Sequence, residues 1–165
     1  MNRELFGEEH PENATILNNM ATLAWRQREF ERAAALQRQV REMDRRLLGP
    51  RHEYVGTDLV NLGNHLMLAG RVAEAEPHLR EGLDLLMEIR GPDNLGTANA
   101  MAAWADWLVA VGRGEEAVEP ARNALDARLA RLDEGTPSVG YSRSTLGAAL
   151  ASVAAWGRAP SGGGL

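Results

Sequence analysis

"LLGPRHEYVGTDLVNLGNHLMLAGRVAEAEPHLREGL", Leu47 to Leu83, repeats in outline the stretch before it, "LFGEEHPENATILNNMATLAWRQREFERAAALQRQV", which begins at Leu5. A step of 42 residues carries Gly7 to Gly49 and Gly91, His10 to His52, Thr15 to Thr57, and Asn19 to Asn61. The same step carries Ala33 to Ala75 and Ala117, and Gly70 to Gly112; three steps carry Pro11 to Pro137 without a gap. A fixed period of this length is the mark of a stacked repeat array.

Within the unit that starts at Gly49, apolar residues fall at Leu59, Leu62, Gly63, Leu66 and Met67, the stripe of an amphipathic helix. Gly70 follows in a position suited to a helix C-cap. A second stripe runs through Val72, Ala75, Leu79, Leu83 and Leu86 and ends at Gly91-Pro92. Each unit therefore reads as a hairpin of two helices. The pattern predicts seven helices, at about 11–27, 30–46, 53–69, 72–88, 94–111, 114–131 and 137–156. Pro11 and Pro137 suit first helical positions, where a missing N–H costs nothing. Asp93 is the expected N-cap of the fifth helix. Pro77 and Pro120 lie near the starts of second helices and are expected to adjust them locally rather than break them. Small residues recur at Ala21, Gly63, Ala105 and Gly147 in first helices, and at Ala33, Ala75 and Ala117 in second helices. They predict close helix–helix approach. Trp104, whose equivalents are apolar, reads as core. Trp107 reads as core too, or, if exposed, as an anchor for a partner.

Composition narrows the chemistry. The 165 residues are 44% hydrophobic and 25% charged, as in a folded domain. No cysteine is present, which excludes disulfides and thiolate metal sites. All 18 basic residues are arginine, so no lysine can form a Schiff base or hold a phosphate in a glycine loop. The net charge of −5 disfavours nucleic acid and anionic membrane surfaces. No signal peptide or transmembrane run is visible, and a cytoplasmic location is expected. His10 and His52 repeat in the inter-repeat turns and read as turn or cap residues; His65 and His78 read as isolated helical histidines. Glu74, Glu76, Glu115, Glu116 and Glu119 complement helix N-termini. No serine is phased with a histidine and an acid as a nucleophilic triad would need. No catalytic residue, metal ligand or cofactor is expected.

The small/large pattern of these hairpins resembles the tetratricopeptide repeat. Its 42-residue period and the segments Phe6–Val40 and Leu48–Leu83 resemble the kinesin light-chain subtype. The third copy, Arg90–Leu125, lacks the His-Pro and the asparagine pair, and the fourth covers only a first helix. The resemblance implies an all-α, right-handed α-solenoid whose first helices line a concave groove. It also implies a non-catalytic module that binds a protein or peptide segment. The alternative is the repeat portion of a larger signalling protein, a kinase or nucleotide-switch ATPase, whose catalytic domain lies elsewhere. The expected solenoid spans 1–159, with repeats at about 7–48, 49–90 and 91–132, a partial one at 133–158, and a flexible glycine-rich tail at 160–165.

The groove line follows from the helix stripe. In the first helix it is Thr15, Asn18, Asn19, Thr22 and Arg26. One repeat on it is Thr57, Val60, Asn61, Asn64 and Leu68, then Asn99, Ala102, Ala103, Asp106 and Ala110. Asparagine can both donate to and accept from an extended peptide backbone. It is a poor helix former, so adjacent Asn18 and Asn19 suggest a purpose beyond stability, either ligand binding or bonds between hairpins. At the two ends, Leu5-Phe6-Gly7 aligns with the tail of a second helix, while "APSGGGL" cannot form the helix that should follow Trp156. The helix at 137–156 therefore lacks a hairpin partner. It is expected to continue in a longer natural chain, to pack end to end with a second copy, or to fray.

Overall fold

The computed structural model describes residues 11–156. The expectations for Leu5–Gly7, His10 and the tail at 160–165 lie outside the described residues. Among those described there are seven α-helices and no strand: α1 (Pro11–Arg26), α2 (Phe30–Leu48), α3 (Glu53–Leu68), α4 (Val72–Arg90), α5 (Leu95–Ala110), α6 (Gly114–Leu129) and α7 (Pro137–Trp156). They form two compact units divided at Gly91 and Pro92. In unit 1, α1 packs on α2, α2 on α3, and α3 on α4. In unit 2, α5 packs on α6, and α7 packs on both. No helix among the described residues is long and apolar enough to cross a membrane.

The turns explain the period. Positive φ occurs at Arg28, Gly49, Gly70, Gly91 and Gly112, one residue in every 21. Within hairpins the same closure recurs. Glu29, Arg71 and Arg113 donate their backbone N–H to the carbonyls of Ala24, Leu66 and Leu108 at 2.8–2.9 Å. A residue in the left-handed region thus brings the chain back onto carbonyls that the helix end leaves unpaired. Arg28 (φ 62°) holds in the first hairpin the place that glycine holds in the next two. The helix after the turn starts on a charged pair. Arg71 is bidentate to Glu74 (2.6–2.7 Å) and Arg113 to Glu116 (2.5–2.6 Å), whereas in the first hairpin the order is reversed, Glu29 accepting from Arg32.

Between hairpins the caps are side chains. His52 caps α3, its Nδ1 accepting from the Tyr54 N–H at 3.2 Å. Asn94, not Asp93, caps α5, its Oδ1 accepting from the Gly96 N–H at 2.7 Å. The helix begins one residue later than expected, so the neighbouring amide takes the role. Pro77 and Pro120 sit inside α4 and α6, which run on past them.

Small residues set the helix spacing in unit 1. A Cβ on Gly63 would lie 2.5 Å from Leu79 Cγ, and one on Gly82 2.8 Å from Val60 and 2.9 Å from the Gly56 carbonyl. Ala21 and Ala24 meet Ala33 and Leu36 in the same way between α1 and α2. Gly147 departs from the pattern: it is exposed, and a methyl group added there would meet nothing within 4 Å. Its equivalents are buried by the second helix of their own hairpins, and α7 has no such neighbour among the described residues. Burial on α7 follows Val139, Ser142, Thr145 and Ala149, while Leu150 is exposed. Trp107 is 4% exposed and stacks on half-buried Trp104 at 4.9 Å, so it is core rather than an anchor.

Candidate functional site

Where α1, α2 and α3 meet in unit 1 they leave a cleft of about 350 Å³. Thr15 and Asn18 reach it from α1, and Thr57 and Asn61 from α3. These are residues of the expected groove line, brought together because 42-residue spacing puts equivalent turns of two first helices side by side. The apolar part of the cleft comes from Val40, Leu47 and Leu48 on α2. Tyr54, more than half exposed, stands at the mouth.

Two carboxyl groups, Asp44 and Asp58, complete the lining. Asp58 is 5% exposed; its Oδ1 accepts from Gln37 Nε2 at 2.9 Å, and its Oδ2 has no hydrogen-bond partner. Burial and the adjacent Asp44 carboxyl together push the Asp58 carboxyl up to about 8, with Gln37 and Arg41 opposing weakly. Arg41 is the nearest positive charge, yet its Nε is also unpartnered. Among the described residues no salt bridge reaches either aspartate. The groove line did not include this pair. A partial signal was nevertheless present: Asp58 stands in the register of Ile16 and Ala100, and Asp44 in that of Leu86, although Ser142 and Arg128 hold the same two positions further along the chain.

The other expected groove residues are placed differently. Asn19, Thr22 and Arg26 are exposed on α1 but do not line the cleft, and Thr22 Oγ1 donates to the Asn18 carbonyl at 3.0 Å. Asn64 is half-buried on α3, also outside the cleft lining. Val60, Ala102 and Ala103 are buried and cannot form a groove wall. Asn99 and Asp106 belong to unit 2 and are engaged there. Asn99 Oδ1 accepts from Arg128 at 2.5 Å, and Asp106 accepts from the Tyr141 hydroxyl. Arg128 is 2% exposed; it also donates to the Ser138 carbonyl (3.0 Å) and to Ser142 Oγ, and lies 5.6 Å from the Tyr141 ring centre. Burial pulls its pKa down, while burial and the bond to Asp106 push that of Tyr141 up. His65 and His78 are half-buried, and burial lowers both below the ordinary histidine value. No group of histidines and acids among the described residues is arranged to hold a metal ion.

Two family models described as tetratricopeptide repeat match the chain, at residues 13–54 and 55–130. The first match is 42 residues long, one full period, and the second begins six residues past the Gly49 that opens the second unit. No curated protein matches. Among solved structures, a kinesin light-chain-type array of nearly identical TPR-like repeats from Podosopora anserina superposes with a TM-score of 0.79. Its identity is 20%, over 88% of this chain and 69% of that one. A point variant of that array gives 0.72 at 20% identity, over 90% and 70%. BtubC (BKLC) from P. vanneervenii gives 0.72 at 18% identity. The match covers 86% of this chain but only 56% of BtubC, so the chain spans little more than half that relative's length. At such identities the likeness is one of fold.

Proposed function

Because the chain belongs to the tetratricopeptide repeat family and has a kinesin light-chain-like repeat, we propose that it is a non-catalytic interaction module that binds an extended protein segment in the cleft of unit 1. The observation that supports this is the convergence of Thr15, Asn18 and Asn61 on one open cleft with an apolar floor. Amides on two successive first helices can pair with the backbone of a segment laid across them, and Leu47, Leu48 and Tyr54 can bury its side chains. Asn99 and Asp106 are left out of this reading, since their polar atoms already serve α6 and α7.

The test is to select peptides from a random library on the immobilised full chain and measure their affinity for variants. The double variant Asn18→Ala/Asn61→Ala should weaken binding at least about tenfold, a loss of about 1.4 kcal/mol. Its melting temperature should stay near that of the parent, and Asn19→Ala, outside the cleft, should bind normally. A collapse of stability in the double variant would make the asparagines struts between helices and sink the binding role.

A second contact, self-association, is proposed for α7. Its exposed positions include Leu150, Ala151, Ala154 and Ala155, an apolar stretch with Arg143 two turns away as the one charge on α7, and a further copy of the chain can cover it.

A further inference from the structure

The two units contain the same slot with opposite contents. Two steps of 42 residues carry Thr15 to Asn99, Asp44 to Arg128, Tyr54 to Ser138, Thr57 to Tyr141 and Asp58 to Ser142. In unit 2 those positions come together around the buried guanidinium of Arg128. It bonds to Asn99, to the Ser138 carbonyl and to Ser142, beside the Tyr141 ring. The repeat geometry thus builds, between one hairpin and the next, a space that seats a guanidinium. In unit 1 the residue equivalent to Arg128 is Asp44, and the equivalent of Ser142 is Asp58. The cation is gone, two acids stand in its place, and the space is open as the cleft.

We infer that the unit 1 cleft is a slot for the guanidinium of an arginine side chain on the bound segment, with the Asp44 and Asp58 carboxylates as its counter-ions. This rests on the segment-binding reading above. The Asp58 Oδ2 is buried, meets no nitrogen donor in the fold and faces the Asp44 carboxyl, so the pair keeps a proton where a seated cation would let both acids ionise. A guanidinium supplies planar N–H donors that match carboxylate geometry. Leu47 and Leu48 suit the aliphatic stem, and Tyr54 at the mouth offers a ring face. The net charge of −5 favours the approach of a basic segment. The charged and titratable groups facing Asp58 are Asp44 and Arg41 from α2 and Tyr54 from the start of α3; α1 contributes only uncharged lining residues. Seating the cation displaces the proton that Asp58 retains at neutral pH, so binding strengthens as pH rises towards 8.

The experiment is an NMR titration of the ¹⁵N-labelled full chain with three probes. These are acetyl-Ala-Ala-Arg-Ala-Ala-amide, the same peptide with citrulline for arginine, and propylguanidinium. Citrulline keeps the shape and removes the charge. The arginine peptide should shift the amides of residues 44, 54, 58 and 61 and bind at least about tenfold more tightly than the citrulline peptide. Asp58→Asn and Asp44→Asn should abolish that preference; the former keeps an oxygen for Gln37, and circular dichroism checks that both remain helical. Equal binding of the two peptides in the cleft would overturn the inference and leave segment binding standing. Propylguanidinium shifting the cleft while neither peptide does so would overturn both segment binding and the arginine slot of a segment, leaving a site for a free guanidinium alone. No shift at the cleft with any probe would overturn both.

Discussion

Asp58 shows how one side chain can bear on both stability and binding. Its carboxyl is held protonated in the fold at pH values where the unfolded chain has released the proton. The native state therefore binds more protons than the unfolded state between the ordinary carboxylate range near 4 and about 8. Stability is greatest below that window and falls as pH rises through it, by at most about 1.4 kcal/mol per unit. Asp58→Asn keeps the shape and removes the titration. Its stability relative to the parent should therefore grow from pH 4 to pH 8, by a few kcal/mol on the order of the shift. Urea unfolding of both chains at a series of pH values measures this; a gap that does not change with pH would mean that Asp58 is ionised in the fold. Arg28 offers a second residue-scale test. A left-handed conformation costs a non-glycine residue roughly 1–2 kcal/mol, and glycine holds that place in the next two hairpins. Arg28→Gly should raise stability by about 1 kcal/mol, part of the gain being lost to the freer unfolded chain. A lower melting temperature would show that the Arg28 side chain contributes more than its backbone costs.

Helix packing turns on which small residues are covered. Gly63 faces fully buried Leu79 at a distance that leaves no space for a methyl group, whereas Gly147 faces open space. Gly63→Ala should therefore overpack α3 against α4 and cost about 1–3 kcal/mol. Gly147→Ala should stabilise α7 by up to about 1 kcal/mol through helix propensity alone. Thermal melts of the two variants should move in opposite directions; a shared sign would contradict the packing described. In unit 2, Arg128 ties α6 to α7 and α5. Arg128→Met keeps the bulk but removes the donor to the fully buried Ser142 hydroxyl, at about 1–3 kcal/mol, and to the part-buried Ser138 carbonyl, while exposed Asn99 can turn to water. Hydrogen exchange across 137–156 should quicken sharply. If those amides stay as slow as in the parent, α7 is held by its apolar contacts rather than by the guanidinium.

For the whole molecule, the self-association proposed for α7 is the reading most easily tested. Light scattering should report a mass that grows with concentration, and Leu150→Glu should return the chain to a monomer by placing charge on the exposed face. A constant monomer mass at high concentration would exclude the contact.

Local physics made the architecture legible. Turn glycines every 21 residues, apolar stripes at helical spacing and a gapless 42-residue period each depend on neighbours within one hairpin, so Leu59, Leu62, Leu66 and Leu79 were readable as core from the sequence. The family reading followed from the same phase. The candidate site was legible only in part. Thr15, Asn18 and Asn61 could be placed on one line, but a line on a helix does not say which of its residues a neighbouring helix will cover or engage. Ala102 and Ala103 are buried, while Asn99 and Asp106 are engaged by Arg128 and Tyr141, which lie 29 and 35 positions further along the chain. Asp58 and Asp44 are 14 residues apart, on different helices. The sequence shows each acid standing where the next repeat has an apolar residue, Leu86 or Ala100, and where a later one has Arg128 or Ser142. That they meet, that one carboxyl keeps its proton, and that the equivalent space in unit 2 holds a guanidinium are consequences of distance and desolvation, which exist only once the helices pack.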